Sequence, residues 1–249
     1  MSSLREPAAR SRGVNSSEVS IRRAALSDID GIGAVVREVW DQEILQDACR
    51  RLIAGEHSTI WVAEAEEAVL GFASGFLTMD KWGQRRGEID LLAVRPSRQG
   101  EGIGPRLIAG LEAEAASWGV DVLRALIRVK NRPSQKAFSR VGFTTDGQVH
   151  KLFLWSPKEG TAERRVQGEI AMIPVDTVTY RGLWIEGLAR LSRAAQQVVV
   201  GAARAAIARD NRLNTGALIP ADDTGKLARR LMQEATLQGD YYWFQKRFD

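Results

Sequence analysis

The 249-residue chain contains one cysteine and two histidines. A single cysteine, Cys49, excludes a disulfide within the chain and is typical of a protein from a reducing compartment such as the cytoplasm. Cys49 and two histidines are also too few for a zinc site of the usual ligand types, so we expect no metal. No apolar run approaches the roughly 20 residues that cross a bilayer, so we expect no membrane partner.

The chain also lacks a concentrated charge of one sign. Its formal net charge is +4, but the basic residues are spread along the sequence. A nucleic-acid-binding protein usually concentrates lysine and arginine on one face or helix. We therefore expect no nucleic-acid partner and interpret the charge as a mildly basic, solvated surface.

Composition and patterning divide the chain into two blocks. Residues 1–18 are small and polar, and we expect a disordered leader there. Residues 19–156 form the larger block, residues 157–167 have the composition of a linker, and residues 168–249 form a smaller α/β block. The strand, helix and strand at the end of the second block repeat the order in 121–155, which leaves open a degenerate duplication.

Hydrophobic periodicity in both blocks predicts a mixed α/β fold. In the first block the predicted elements are a strand at 19–25, two helices up to about residue 52, strands on both sides of a turn at 66–67, a strand at 88–94, a helix at 105–118, a strand at 121–129, a short helix ending before Gly142, and two closing strands that turn at Asp146 and Gly147. In the second block they are a strand in "EIAMIPV", an alanine-rich helix, and a strand, helix and strand in "GALIP", "TGKLARRLMQEA" and "DYYWFQKRF".

Three alternate glycines, Gly100, Gly102 and Gly104, stand between a predicted strand and a predicted helix. Glycine lets the backbone approach a ligand closely, and the unpaired N–H groups of a helix N-terminus favour an anion. The third glycine comes one residue too early for a G-x-G-x-x-G fingerprint, and no G-K-S/T follows for a P-loop. The stretch is either a phosphate site or a bare turn, and three glycines favour the phosphate site.

This stretch resembles the pyrophosphate loop of the GNAT acetyltransferase superfamily. The family pattern is Gln or Arg, two residues, Gly, one residue, then Gly or Ala, and Gln99–Gly104 matches it. The family places the loop after a strand that carries L-x-V, here Leu92 and Val94. A second family motif, N-x6-Y/F-x3-G-F, occurs downstream in "NRPSQKAFSRVGF". The resemblance covers about residues 19–155, with both motifs in the family's order.

The resemblance implies acetyl-CoA as co-substrate and assigns it a set of residues. Lys136, with Arg98 and Arg132, either meets the 3′-phosphate or is a solvated surface charge. The implied coenzyme A ligands are Leu92 and Val94 for the pantetheine arm, the backbone of Gln99, Gly100, Glu101, Gly102, Ile103 and Gly104 for the pyrophosphate, and Asn131 for the arm from the far side.

Two carboxylates are candidates for the base that acetyl transfer to an amine requires. Glu88 and Asp90 are two residues apart on a predicted strand, so we expect both on one face, together with Leu92 and Val94. Glu88 precedes Val94 by six residues, as a glutamate base does in some lysine-acetylating members. Asp90 is the second candidate, and each is otherwise an ordinary strand carboxylate.

One position departs from the family pattern. Many members have a tyrosine that protonates the leaving thiolate where this chain has Phe138. Water, or one of the three tyrosines of the second block, would then supply that proton, or the chain binds acyl-CoA without efficient turnover. Trp40 and Trp82 are weaker candidates for contact with the acceptor, and Cys49 is more consistent with packing than with a nucleophile.

Together these features predict a GNAT fold with an appended α/β block, and they leave open that this block is a degenerate second copy. The predicted activity is transfer of an acetyl group from acetyl-CoA to a primary amine of a small molecule, peptide or protein. The alternative is an acyl-CoA-binding regulatory or interaction module with little turnover. A homodimer is left open.

Overall fold

The computed structural model describes residues 18–80, 82–160 and 170–248. Most of the expected leader and part of the expected linker therefore lie outside the described residues. The first block contains β1 (Ser20–Arg23), α1 (Ile29–Trp40), α2 (Gln46–Ala54), β2 (Ser58–Ala65), β3 (Ala68–Met79), β4 (Arg85–Val94), α3 (Ile103–Ser117), β5 (Val122–Arg128), α4 (Arg132–Arg140) and β6 (His150–Trp155). The second contains β7 (Ala171–Asp176), β8 (Arg181–Glu186), α5 (Arg193–Arg209), β9 (Asn214–Pro220), α6 (Arg229–Glu234) and β10 (Thr236–Arg247).

All of the described strands join one mixed sheet in the order β1-β2-β3-β4-β5-β10-β6-β9-β8-β7. The mixed α/β fold expected from the sequence is confirmed. Two pairs are parallel, β4 with β5 and β8 with β9, and a helix connects the strands of each pair. A parallel pair needs such a crossover, because a tight turn can only reverse the chain direction.

Strand β10 lies between β5 and β6, although it comes from the other end of the described chain. It runs antiparallel to both, and Tyr241 is paired with Arg128 on one side and with His150 on the other. In the same way, β6 of the first block pairs with β9 of the second block. The two blocks therefore interleave their last strands within one sheet.

The expected pair of closing strands that turn at Gly147 is wrong. Only β6 forms there, and Thr144 makes an isolated bridge to Gln245 of β10. The polar segment before β6 offers little to bury, whereas β10 buries Phe244, with 4% of its surface exposed, at 6.4 Å from the ring of Phe138. The more apolar strand therefore occupies this position in the sheet.

The order of elements in the second block repeats the order in the first. Strands β8, β9 and β10 with α5 and α6 follow the sequence of β4, β5 and β6 with α3 and α4. Strand β8 is absent from the sequence-based prediction.

Helices cover both faces of the first half of the sheet. Helices α3 and α4 bury residues such as Leu107 and Phe138 in one apolar cluster, and α1 and α2 bury Ile32 and Cys49 in another. Val178, from the loop between β7 and β8, is fully buried in the second of these clusters, so the second block also contributes to it. Among the described helices, none is both long and apolar enough to cross a membrane.

Replacing Phe244 by Ala should destabilise the fold, because this side chain anchors β10 in the core beside Phe138. We expect the free energy of unfolding to fall by about 3–5 kcal/mol, in a single transition, when urea unfolding is followed by tryptophan fluorescence. The control is Leu237→Ala on the same strand, where the side chain is 52% exposed, and its effect should be within about 0.5 kcal/mol. Two separate transitions would contradict the interleaving of the blocks.

Candidate functional site

The glycine loop after β4 presents backbone N–H groups without partners. Gly100 and Gly102 have φ angles of +87° and +79°, a left-handed conformation that favours glycine. A Cβ atom on either residue would find no atom within 4 Å, so both face open space. Among the described residues, no acceptor lies within hydrogen-bond distance of the amides of Gly100, Glu101 and Gly102. These amides can therefore bind an anion.

Two side-chain contacts fix the shape of this loop. The side-chain amide of Gln99 donates to the carbonyl of Val94 at 3.0 Å. Arg98 donates to both carboxylate oxygens of Glu101, at 2.8 and 2.9 Å, so its guanidinium is already paired. Helix α3 begins at Ile103 rather than at Pro105 as expected, because glycine at position 102 in the left-handed conformation starts the helix earlier.

Strands β4 and β5 pair only along the part of β4 that is far from the glycine loop, and then they separate. Their parallel pairing extends only from Arg86 with Val122 to Ile89 with Ala125. On the other side of β4, Ile89 pairs with Gly75 and Leu91 with Ser74, so Asp90 has no partner on β3 and forms a bulge. A bulge inserts one residue and re-aims the side chains that follow it.

The bulge overturns the expectation that Glu88, Asp90, Leu92 and Val94 share one face. Leu92 and Val94 pack with Ile89 on the cluster of α3, whereas Leu91 packs on the opposite cluster of α1. Simple alternation would have placed Leu92 opposite Ile89. The extra residue at Asp90 reverses that alternation for the rest of the strand.

A cavity of about 530 Å³ occupies the space where β4 and β5 separate, and the second block forms one of its walls. Of the candidates from the sequence, six line it: Trp40, Glu88, Asp90, Leu92, Asn131 and Phe138. Other side chains complete the walls, and the polar ones among them are Gln42, Thr78, Arg124, Arg128, Ser134, Thr177, Thr179, Tyr180, Glu186, Gln238 and Tyr241.

Glu88 is held in an ion-pair network. Its carboxylate accepts from Thr78 Oγ1 at 2.6 Å and from Arg124 Nε at 2.8 Å. Arg124 also donates to Glu186 of β8 at 3.0 Å, so the network joins the two blocks. Burial by itself would lower the pKa of Arg124, but the charges of Glu88 and Glu186 outweigh it and raise that pKa. Arg124 therefore stays charged, and Glu88 stays paired.

Asp90 has the opposite environment. Its Oδ2 atom is enclosed and has no hydrogen-bond partner among the described residues. Burial raises the pKa of Asp90 to about 7, against the smaller opposing effect of the Thr177 hydroxyl and with a further increase from the charge of Glu88. A carboxyl group with this pKa exchanges a proton near neutral pH.

Phe138 lies in the core and lines the cavity without offering a proton. It is 2% exposed and meets Phe143 edge to face, with ring centroids 5.1 Å apart. Two tyrosines of the second block reach the same cavity. The hydroxyl of Tyr180 donates to the carbonyl of Asn214 at 3.3 Å, whereas no described group forms a hydrogen bond with the hydroxyl of Tyr241. Tyr241 therefore has the available hydroxyl.

Asn131, Lys136 and Cys49 lie in three different surroundings. Asn131 caps α4 by accepting from the backbone N–H of Ser134 at 3.2 Å, which leaves its NH2 group as a donor. Lys136 lines a separate groove along α4 with Arg132 and Arg140. Cys49 is buried, and burial raises its pKa to about 11, which suits packing rather than nucleophilic attack.

Comparison with known proteins identifies the first block. Residues 29–143 match the model of the acetyltransferase (GNAT) family. This part of the chain is a domain of that family, as the glycine loop and the downstream motif suggested. The GNAT fold expected for the first block is therefore confirmed.

Individual relatives are similar to parts or to most of the chain. Amino-acid acetyltransferases of two Neisseria meningitidis strains are 34% identical over 110 residues, which are 43% of this chain and 24% of theirs. The chain thus spans about a quarter of the length of these curated relatives. A GCN5-related N-acetyltransferase from Sphaerobacter thermophilus superposes with a TM-score of 0.56 over 92% of this chain and 95% of its own, at 10% identity.

A second solved structure extends the same conclusion. The GCN5-related glucosamine N-acetyltransferase region of a fungal multi-domain β-N-acetylglucosaminidase has a TM-score of 0.59 at 13% identity. The match covers 95% of this chain and 39% of that chain. At such low identities the likeness concerns the fold alone, and in both cases it includes the second block.

Replacing Asp90 by Asn should stabilise the protein at high pH. The pKa of this carboxyl is about 7 in the folded chain against its ordinary 3.8. The fold therefore loses stability as the pH rises from about 4, and the loss is complete above about 7. Urea unfolding near pH 8 should show a gain of roughly 1–4 kcal/mol for the variant, and near pH 4 almost none.

The control for this comparison is Glu88→Gln, which removes the partner of Arg124. It should destabilise the protein by roughly 3 kcal/mol near neutral pH. If wild type and Asp90→Asn show the same pH dependence of stability, Asp90 does not have the raised pKa.

Proposed function

We propose that the chain is an N-acetyltransferase that moves an acetyl group from acetyl-CoA to a primary amine. The observation that carries the proposal is the Asp90 carboxyl in the cavity where β4 and β5 separate. Its Oδ2 atom has no hydrogen-bond partner among the described residues, and its pKa is about 7. A group that takes up a proton near neutral pH at this point is what an attacking amine requires. The membership of residues 29–143 in an acetyltransferase family supports the same reaction.

Acetyl-CoA would be held by the residues that the motifs indicate. The unpartnered amides of Gly100 to Gly102 and the N-terminus of α3 suit its pyrophosphate. The edge of β4 beyond Ile89 is open on the side of β5, so the backbone near Leu92 and Val94 is available to pair with the extended pantetheine arm. Asn131 lines the same cavity and retains donors for that arm. Lys136, in the groove along α4, suits the 3′-phosphate.

Each reacting proton then has a place among the residues of the cavity. Asp90 accepts a proton from the amine, directly or through one water molecule, and the nitrogen attacks the thioester carbonyl. The new bond joins nitrogen to carbon, the carbon–sulfur bond breaks, and the coenzyme A thiolate leaves. The hydroxyl of Tyr241 donates the proton that Phe138 cannot supply. Glu88 acts as a positioning residue, since its charge raises the pKa of Asp90 and its ion pair fixes Arg124.

The acceptor is best described as a small amine. The cavity lies between the two blocks, and its walls include Trp40 from the first block and Thr177 and Tyr180 from the second. Such walls suit one small molecule or one extended side chain. An amino acid is one candidate, because the Neisseria relatives are named amino-acid acetyltransferases and Arg128 at the cavity offers a cation for a carboxylate.

We also propose that residues 19–156 are the catalytic domain and residues 168–249 a degenerate second copy. The repeated element order supports this view. The second block has no glycine loop after β8. Instead the hydroxyl of Ser192 accepts from the N–H of Ala195 at 3.3 Å and caps α5, so this helix N-terminus is already satisfied.

Kinetics of two variants test the reaction. With a panel of amines, Asp90→Asn should lower kcat roughly 10²–10⁴-fold and leave acetyl-CoA affinity unchanged. Wild-type kcat/KM should rise with pH up to about 7, the pKa of Asp90, and then level. Tyr241→Phe should lower kcat by about tenfold with acetyl-CoA and much less with a thioester whose thiol is more acidic.

Tyr242→Phe is the matched control for Tyr241→Phe, because Tyr242 is the next residue on β10 and packs against the cluster of α3 and α4. It should leave kcat unchanged. If the wild-type protein binds acetyl-CoA but acetylates no amine, the alternative function, an acyl-CoA-binding module, is favoured. The phenylalanine at position 138 is the sequence feature that suggests this alternative.

Acetyl-CoA binding is tested at Gly102. Gly102→Ala should weaken acetyl-CoA binding at least tenfold in isothermal titration calorimetry, because the Cβ would enter the open space in front of the loop amides. Gly147→Ala is the control, since Gly147 has a similar φ of +75° and an equally open surrounding. Equal affinities for both variants would mean that the loop does not hold the pyrophosphate.

A further inference from the structure

A second cavity lies beside the first, on the side of β8 and β9. Its volume is about 290 Å³. Arg124, Trp184, Glu186 and Trp243 line both cavities and form the partition between them. Neither Asp90 nor the glycine loop reaches this second space, so the proposed acetyl transfer leaves it without a role.

Arg86 has donors in this region that no protein group uses. The side chain is almost fully buried, with 5% of the residue exposed. Its Nη1 atom donates to Glu186 Oε2 at 2.9 Å. Its Nε and Nη2 atoms are enclosed and have no hydrogen-bond partner among the described residues, and Nε is 3.8 Å from the nearest oxygen of Glu88. A buried cation with two unsatisfied nitrogen atoms is costly and calls for an acceptor.

The neighbouring carboxylates do not serve as that acceptor. Glu88 already accepts from Thr78 and Arg124, and Glu186 already accepts from Arg124 and from the Nη1 atom of Arg86. Nε and Nη2 form one edge of the planar guanidinium. The two N–H groups on such an edge match the spacing of the two oxygens of a carboxylate.

We propose that the second cavity binds a small organic carboxylate through this edge of Arg86. The remaining walls indicate a flat apolar body for the ligand, because Trp82, Trp184 and Trp243 line the cavity together with aliphatic side chains of β9. Aromatic faces pack well against planar groups. This site goes beyond the proposed acetyl transfer and does not depend on it.

The site occupies the place in the second block that corresponds to the main cavity in the first. Strands β8 and β9 pair only from Gly182 with Asn214 to Trp184 with Gly216 and then separate, as β4 and β5 do. Ile185 and Glu186 line the second cavity from β8, and Leu218 and Ile219 line it from β9. The second cavity therefore has no phosphate-binding loop, and Arg86 is the group that would bind a smaller anion there.

The experiment uses the full chain with indole-3-acetate as probe and indole-3-acetamide as its uncharged counterpart. Binding is measured by isothermal titration calorimetry and by tryptophan fluorescence, with and without saturating acetyl-CoA. We expect indole-3-acetate to bind in both conditions and the amide not to bind. Arg86→Lys, which keeps the charge but loses the two-donor edge, should weaken binding at least tenfold.

Arg212→Lys is the matched control, because the Arg212 side chain is only 12% exposed but is paired with Asp176 at 2.6 Å and with the carbonyl of Gly182 at 3.0 Å. It should leave the affinity for indole-3-acetate unchanged. Unchanged acetyl-CoA affinity in Arg86→Lys would show that the variant is folded. If Arg86→Lys does not fold, the proposal is tested by comparing the binding of indole-3-acetate and indole-3-acetamide to the wild-type protein.

Four results would overturn the proposal. The first is that neither probe binds at millimolar concentration, which would mean that water satisfies Arg86. The second is equal affinity of wild type and Arg86→Lys. The third is that acetyl-CoA displaces the probe, which would place it in the main cavity. Inorganic phosphate that binds more tightly than indole-3-acetate would exclude the carboxylate class.

Discussion

The separation of β4 from β5 is the constraint on which the rest of the site depends. The two strands share four paired positions and then diverge, so a row of backbone groups and a cavity open inside the sheet. A sheet edge exposed in the interior needs something to pair with. The bulge at Asp90 begins where the pairing ends, and it aims a carboxyl group into the opening. Cavity, unpaired edge and candidate base thus have one structural origin.

The two acidic residues of β4 differ because of the groups that lie opposite them. Glu88 meets Arg124, which Glu186 of β8 also contacts, and the three charges satisfy one another. Asp90 meets only the hydroxyl of Thr177 and remains enclosed without a cation. Two carboxylates on one strand therefore have different environments, because Arg124 pairs with Glu88 and no described cation pairs with Asp90.

The sequence predicts the first block well because its signals are local. The glycine loop, the strand before it and the helix after it lie within about 30 residues, and their patterns survive in the structure. The acidic turn at Glu66 and Glu67 forms as expected, with positive φ at both residues. Local signals of this kind need no knowledge of distant contacts.

The parts that the sequence did not predict depend on distant residues. Arg124 and Glu186, which form an ion pair, are 62 residues apart in the sequence. No local pattern in either segment predicts that they pair. The position of β10 between β5 and β6 depends on a competition between two candidate strands, which a single sequence does not rank. The bulge at Asp90 changes which face each later residue occupies, and alternation alone gives no sign of an inserted residue.

The exchange of β6 and β10 has a consequence for how the protein is made. During synthesis β10 is translated after every other described element, so β5 and β6 leave the ribosome with the position between them unfilled. Domains usually fold in order as they emerge, and unpaired strand edges promote aggregation in the meantime. The first block must therefore wait for the second before its sheet is complete.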